Sequence, residues 1–222
     1  MPILITDFDG TFARRDFFDL VLERHDPPAG HEAWRGFLDG ELTLTAGLAG
    51  VFGALRTDEA GADALVDALD PAPGTAAAVR RLQDAGWEVI IASAGCRWYI
   101  EKLLARMGLK VAVHAAPGVF APQTGLVMTP DPADPYHHPQ TGIDKARVVR
   151  DALARDPVVA YAGDSTTDRA GALMVPPERR FVTGWLGRRF AEEGVPHVAI
   201  AAWPEIAPGL LGGRWPGPPK TR

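Results

Sequence analysis

Short apolar runs that stop abruptly at a polar residue recur along this chain. Ile3, Leu4 and Ile5 lead into Asp7 and Asp9, with Gly10 and Thr11 just beyond. Residues 87–92 (WEVIIA) lead into Ser93, and residues 158–162 (VVAYA) lead into Gly163 and Asp164. Runs this short, each closed by turn-forming residues, predict buried strands. Residues 110–113, 180–183 and 197–200 predict further short strands. Between them the apolar spacing lengthens to three or four residues. That period predicts helices over 75–85, 96–107, 143–154 and 186–193. Alternation of strand and helix implies a mostly parallel sheet with helices on both faces.

The stretch after the first strand is patterned differently. It has helical spacing and few β-branched residues, with candidate helices at 16–25, 31–38, 43–55 and 58–69. Asp26-Pro27-Pro28, Gly40 and Thr57-Asp58 punctuate them, and Thr57 or Asp58 is a candidate N-cap. The series ends at Asp70-Pro71-Ala72-Pro73 and predicts a four-helix insert. Residues 117–129 combine Gly, Pro and alternating apolar positions and predict a β-hairpin, and 131–141 reads as loop. The expected division is a core over 1–12 and 73–213, a helical cap over 13–72 and a loosely held tail over 214–222.

Four polar stations stand at the ends of these elements. Asp7 and Asp9 leave the first strand, where open α/β sheets place their ligands. Ser93 ends the second strand ahead of a predicted helix, and free N–H groups there would cradle an anion. Lys145 lies early in the helix after Gly142, and Asp164 and Asp168 follow the strand at 158–162. Paired carboxylates at one site suit a hard cation and a phosphate group, one attacking phosphorus and the other handling protons.

The order DxDGT, Ser, Lys, GDxxxD resembles the haloacid dehalogenase-like hydrolase superfamily over all but the tail. The insert's position resembles the helical-cap subclass that includes phosphoserine phosphatase. Residues 92–109 (ASAGCRWYIEKLLARMGL), the segment from Trp34 to Gly40-Glu41, and residues 192–206 (EEGVPHVAIAAWPEI) look like methylthiopentenyl-1-phosphate phosphatases. The resemblance implies a Rossmann-like α/β core with a small helical cap, and a Mg²⁺-dependent phosphatase working through an aspartyl-phosphate. On that likeness Asp7 is the nucleophile and Asp9 the general acid and base. Mg²⁺ is held by the Asp7 and Asp164 carboxylates and the Asp9 carbonyl. Asp168 stands behind them, orienting Lys145 or a metal-bound water. Ser93, the Ala94 N–H and Lys145 bind phosphate, Lys145 also balancing charge, and Thr11, grouped with them, helps to fix the loop after the nucleophile. Phe12, Ala94, Ser165 and Thr167 depart from the commoner residues of that pattern, but no charged group is missing. A dehalogenase needs no proton for its leaving group, so Asp9 argues against one. Phosphotransfer to another alcohol, as in a phosphomutase, and a non-catalytic binding role are the alternatives.

Composition narrows the partners. The chain has 222 residues, is 46% hydrophobic and 23% charged, and carries a net charge of −5, with no footprint for nucleic acid or membrane. The single cysteine, Cys96, rules out an internal disulfide framework and fits a cytoplasmic setting. The expected partner is a small phosphorylated metabolite, bound by a monomer or homodimer. His137 and His138 are expected to be exposed in their loop, Trp34, Phe37 and Phe52 to form the cap's own core, and Asp16, Phe17, Arg97 and Trp98 to set specificity.

Overall fold

Leu4 packs into one layer of the molecule and Ile3 and Ile5 into the other, all three buried. That is the alternation of a strand covered on both faces. The computed structural model describes residues 1–212, so the tail at 214–222 lies outside the described residues. Along the chain, β1 (Ile3–Thr6) is followed by α1 (Phe17–His25), α2 (Pro28–Leu38), α3 (Leu44–Gly53), α4 (Glu59–Asp67) and α5 (Thr75–Asp84). Then come β2 (Glu88–Cys96), α6 (Arg97–Arg106), β3 (Ala112–Ala116), β4 (Gly118–Ala121), β5 (Gly125–Met128) and α7 (Lys145–Arg155). The last elements are β6 (Val159–Gly163), α8 (Arg169–Leu173), β7 (Arg180–Val182), α9 (Gly184–Glu192), β8 (Val198–Ala199) and α10 (Ile206–Leu211).

Six strands form a parallel sheet in the order β3-β2-β1-β6-β7-β8. Strand β1 is central, with Ile5 opposite Ile90 on one side and Tyr161 on the other. The direction of winding reverses between β1 and β6, which opens a crevice at their C-terminal ends. One layer sets Leu82, Ile100 and Ile206 against Leu4 and Ile91, and the other sets Val149 and Phe190 against Ile3 and Ile5.

The chain leaves and re-enters the core at one stem. Ala13 bridges Pro71, and the Arg15 N–H donates to the Leu69 carbonyl at 3.2 Å. Helices α1 to α4 fill the insert between. The Asp58 carboxylate accepts from the Gly61 N–H and starts α4, and the Thr43 hydroxyl accepts from the Ala46 N–H and starts α3. Gly50 lets α3 approach Ala33 of α2 so closely that a Cβ would overlap the alanine methyl. The β4–β5 hairpin belongs to the core by sequence yet reaches beneath α3. At Gly125, with φ +73°, a Cβ would meet the carbonyl oxygens of Phe52, Gly53 and Leu55 at 2.7–2.8 Å.

Three expectations shift. Strand β2 continues to Cys96, and its helix begins only at Arg97, because the register against β3 slips between Ala92 and Cys96. The helix expected from residue 31 starts at Pro28, whose fixed φ suits a first turn. The short helices α8 and α10 hold too few apolar repeats to register as a period. Phe12 stacks with Phe8 at 5.7 Å and meets Trp203 edge-on at 5.2 Å, which accounts for an aromatic residue there. Replacing Phe12 with Ala is expected to cost about 3–5 kcal/mol in equilibrium denaturation. A loss below about 1 kcal/mol would show that this contact does not anchor the loop.

Candidate active site

The Asp7 N–H donates to the Ala162 carbonyl at 2.9 Å, so β1 hydrogen-bonds one residue past its strand. The chain then turns sharply through Gly10, at φ +74°. A Cβ on Gly10 would lie 2.6 Å from Asp164 Oδ2 and 3.2 Å from Asp16 Oδ1, so only glycine lets the turn pass these carboxylates. The turn delivers Asp7 and Asp9 to opposite neighbours.

Asp7 faces Lys145. The Lys145 ammonium, at the first position of α7, donates to Asp7 Oδ1 and to Asp168 Oδ1, each at 2.7 Å. All three side chains are buried. Asp168 also accepts from the Tyr161 hydroxyl at 2.7 Å, the Ser165 hydroxyl at 2.8 Å and the Ser165 N–H at 3.0 Å. Ser165 and Thr167, the departures noted in the sequence, share a hydroxyl contact of 3.0 Å around this carboxylate. Asp164 accepts from the Thr11 hydroxyl at 3.2 Å. Oxygens of Asp7, Asp164 and Asp168 lie within 4.8 Å of one another.

Asp9 faces the other way. Its Oδ1 accepts from the Phe17 N–H at 2.9 Å, and its Oδ2 accepts from the Tyr99 hydroxyl at 2.7 Å. Ser93 is buried, accepts from the Gly95 N–H at 3.0 Å and lies 3.4 Å from Asp9 Oδ2. Ser93, Ala94 and Gly95 belong to the irregular end of β2 and not to a helix N-terminus, which replaces the helix-borne anion cradle expected there.

These groups floor a cavity of about 210 Å³. The floor holds Asp7, Asp9, Ser93, Ala94, Gly95, Lys145 and residues 164–167, and Asp16 stands at the side. The roof is Phe18, Trp34, Phe37, Leu44, Leu48 and Phe52, all from the inserted helices. Trp34 and Phe37 therefore wall the cavity, contrary to the expectation that they pack only within the cap. Trp34 lies between Phe18, at 4.1 Å, and Phe37, at 5.0 Å, with both ring pairs tilted. Of the four expected specificity positions only Asp16 lines the cavity. Successive helical residues point about 100° apart, so Phe18 faces inward while Phe17 is buried against Tyr99. Arg97 and Trp98 lie outside, because α6 begins beyond the bulge, and Trp98 packs on Phe120. Thr11 does not reach the cavity; its hydroxyl is spent on Asp164. Tyr99, Tyr161 and Phe18 were not foreseen. Tyr161 carried a signal as the one polar-tipped residue in the run 158–162, and Tyr99 lies one helical turn after Gly95.

A family model described as haloacid dehalogenase-like hydrolase matches residues 4–172. The chain belongs to this family. A 2-hydroxy-3-keto-5-methylthiopentenyl-1-phosphate phosphatase of Brevibacillus brevis is 24% identical over 212 residues, covering 92% of each chain. Among solved structures, a hydrolase of the family from Salmonella enterica serovar Typhi superposes with a TM-score of 0.71. That match has 19% identity over 95% of this chain and 71% of the other. A phospho-aspartyl intermediate analogue of phosphoserine phosphatase gives 0.60, with 13% identity over 90% and 92%.

In this haloacid dehalogenase-like hydrolase the charges do not balance within the protein. One ammonium faces three carboxyl groups, which when all ionised leave the cluster two positive charges short. Burial opposes the charge on Lys145, but Asp168 and Asp7 outweigh it and hold the ammonium above its ordinary range. Burial would lift Asp168 too, yet Lys145 and its other donors pull it below the usual carboxylate value. Asp7 is pushed well above that value by burial and then by Asp168, with Lys145 opposing. Asp164 is pushed up to about 6 by burial and Asp168. An all-oxygen donor set short of positive charge fits a hard divalent cation. Asp16 is pushed up to about 8, by burial and then by Asp9 and Asp164.

The raised carboxyls set a pH dependence. Asp164 and Asp16 hold a proton more tightly when folded than at the ordinary value of 3.8. The folded state therefore binds more protons between that value and about 8, and stability falls as pH rises through the interval. Melting of metal-free protein is expected to occur at lower temperature at pH 8 than at pH 5, and Asp16→Asn is expected to flatten the upper part of the slope. A melting temperature that rises over this range would contradict the assignment.

Proposed function

We propose that the protein is a Mg²⁺-dependent phosphomonoesterase that works through an aspartyl-phosphate on Asp7. The observation that carries this reading is the Lys145 bridge between Asp7 and Asp168 at the crevice of the sheet, with Asp164 beside it and Asp9 two residues on. The Asp7 and Asp164 carboxylates, with the Asp9 carbonyl, would hold the cation. When bound it supplies positive charge to the phosphate oxygens.

The chain's own groups do the rest. Lys145 holds Asp7 in place and keeps one of its oxygens paired, leaving the other for phosphorus. Ser93 and the Ala94 N–H bind phosphate oxygens. An Asp7 oxygen bonds to phosphorus as the ester P–O bond breaks, and the proton on Asp9 goes to the leaving oxygen to give the alcohol. Asp9, now a carboxylate, takes a proton from water as that water's oxygen bonds to phosphorus. The Asp7–phosphorus bond breaks, phosphate leaves, and Asp9 is again protonated. Asp168, held by five donors, keeps Lys145 in register.

The roof supports a substrate class. Lys145 is the one cationic side chain lining the cavity among the described residues. A second anionic group on the substrate would find no partner there, whereas Phe18, Trp34 and Leu48 offer apolar contact. An uncharged, largely apolar alcohol portion fits better than the serine of phosphoserine. This agrees with the methylthiopentenyl phosphate named for the Brevibacillus relative. A cytoplasmic setting and a small phosphorylated metabolite as partner belong to the same proposal, supported by the single cysteine. No helix among the described residues is long and apolar enough to cross a membrane.

Phosphate release from a panel of phosphomonoesters tests the reading. Release is expected to require Mg²⁺, to stop with chelator, and to fall about 10³-fold or more in Asp7→Asn. Near-wild-type turnover in that variant would remove the nucleophile assignment. Within the panel, kcat/KM for an apolar alkyl phosphate is expected to exceed that for phosphoserine by about 10-fold or more. The reverse order would overturn the substrate class while leaving the mechanism standing.

A further inference from the structure

We infer that Tyr99 is a positioning residue that aims Asp9 at the leaving oxygen of the substrate; the inference rests on the phosphomonoesterase reading. A general acid contributes only when its proton lies within hydrogen-bond reach of the departing atom. A carboxyl group three residues past a strand end, in a turn next to a glycine, has torsional freedom unless other groups remove it. Here the two oxygens accept from different elements, and the longer Ser93 contact at 3.4 Å falls on the same Oδ2 that Tyr99 holds. The Phe17 N–H, at the start of α1, holds Oδ1 at 2.9 Å, and the Tyr99 hydroxyl, in the first turn of α6, holds Oδ2 at 2.7 Å. The two donors are themselves locked together, for the Phe17 and Tyr99 rings stack at 4.2 Å with 7° between their planes. Phe8 and Phe52 flank the Tyr99 ring at 5.9 Å each. A ring boxed in this way cannot redirect its hydroxyl, so the acceptor is fixed in turn.

The space for that hydroxyl is also provided. Gly95 lies where any Cβ would land on the Tyr99 hydroxyl and would come within 3.0 Å of Asp9 Oδ2. A phenylalanine at 99 would keep the stack on Phe17 without the polar contact. The hydroxyl adds nothing to apolar packing; what it adds is the shorter of two hydroxyl contacts to Asp9 Oδ2, 2.7 Å against 3.4 Å from Ser93, at the edge of the cavity.

The leaving group separates positioning from packing. Loss of alkoxide from an alkyl phosphate needs the Asp9 proton, whereas p-nitrophenolate departs as a stable anion and needs it little. Because kcat/KM reports the steps through departure of the leaving group, Tyr99→Phe is expected to lower it about 10- to 100-fold for an alkyl phosphomonoester. For p-nitrophenyl phosphate it is expected to stay within about threefold. Asp9→Asn is expected to show the same bias more strongly. Equal losses on both esters, or no loss on the alkyl ester, would overturn the inference. Wild-type protein that releases phosphate from neither ester would overturn the hydrolase reading instead. A second measurement does not depend on turnover: amide exchange at Phe17 is expected to quicken about tenfold in Tyr99→Phe, and an unchanged rate would overturn the clamp.

Discussion

The buried ammonium of Lys145 is the constraint on which the rest of this structure depends. It ties the end of β1, the start of α7 and the loop after β6 to one point, over sequence separations of 138 and 23 residues. A cation at a helix N-terminus works against the helix dipole, and burial works against it as well. It is stable there because two carboxylates face it at 2.7 Å. Removing the ammonium would leave those carboxylates buried against each other, a loss of about 3–5 kcal/mol for a broken buried pair. The sheet order, the glycine turn and the tyrosine behind Asp168 all serve to bring these charges together.

Around that point the molecule separates its tasks by face. Asp7, Asp164 and Asp168 share the Lys145 side, where electrostatics dominates. Asp9 belongs to the opposite side, where aromatic packing dominates and polar contacts are few but directed. Two residues of chain, Phe8 and the backbone of Asp9, carry the change from one regime to the other. The Trp203 indole donates to the Thr6 hydroxyl at 3.0 Å, and that hydroxyl donates to the Asp7 carbonyl at 2.8 Å. The last helical segments thereby brace the strand end from the far side.

Most of the sheet was legible because its strands are short apolar runs stopped by Asp, Ser or Gly, a pattern set by burial on both faces. The four polar stations were legible because their order along the chain matches the order in which a parallel sheet delivers its strand ends. What the sequence hid had physical causes. The bulge that carries β2 on to Cys96 depends on pairing with β3, which no local pattern records. Whether Phe17 or Phe18 faces the cavity depends on one residue of helical phase. Trp34 and Phe37 look like core because a cavity roof and a core are both apolar; only the placement of α2 over the crevice tells them apart. Tyr99 looks like one more aromatic residue in an amphipathic helix until Gly95 and Asp9 are seen beside its hydroxyl.

The hairpin beneath α3 changes how the roof can move. A lid joined to its base by one stem is a door, free to swing about the line through Ala13 and Pro71. Gly125, seated against the carbonyls of Phe52, Gly53 and Leu55, supplies a support away from that line. A door with a post set against it has two points of attachment instead of one. Any swing of the roof about its stem would have to carry the hairpin along or give up the packing of Gly125 against those three carbonyls.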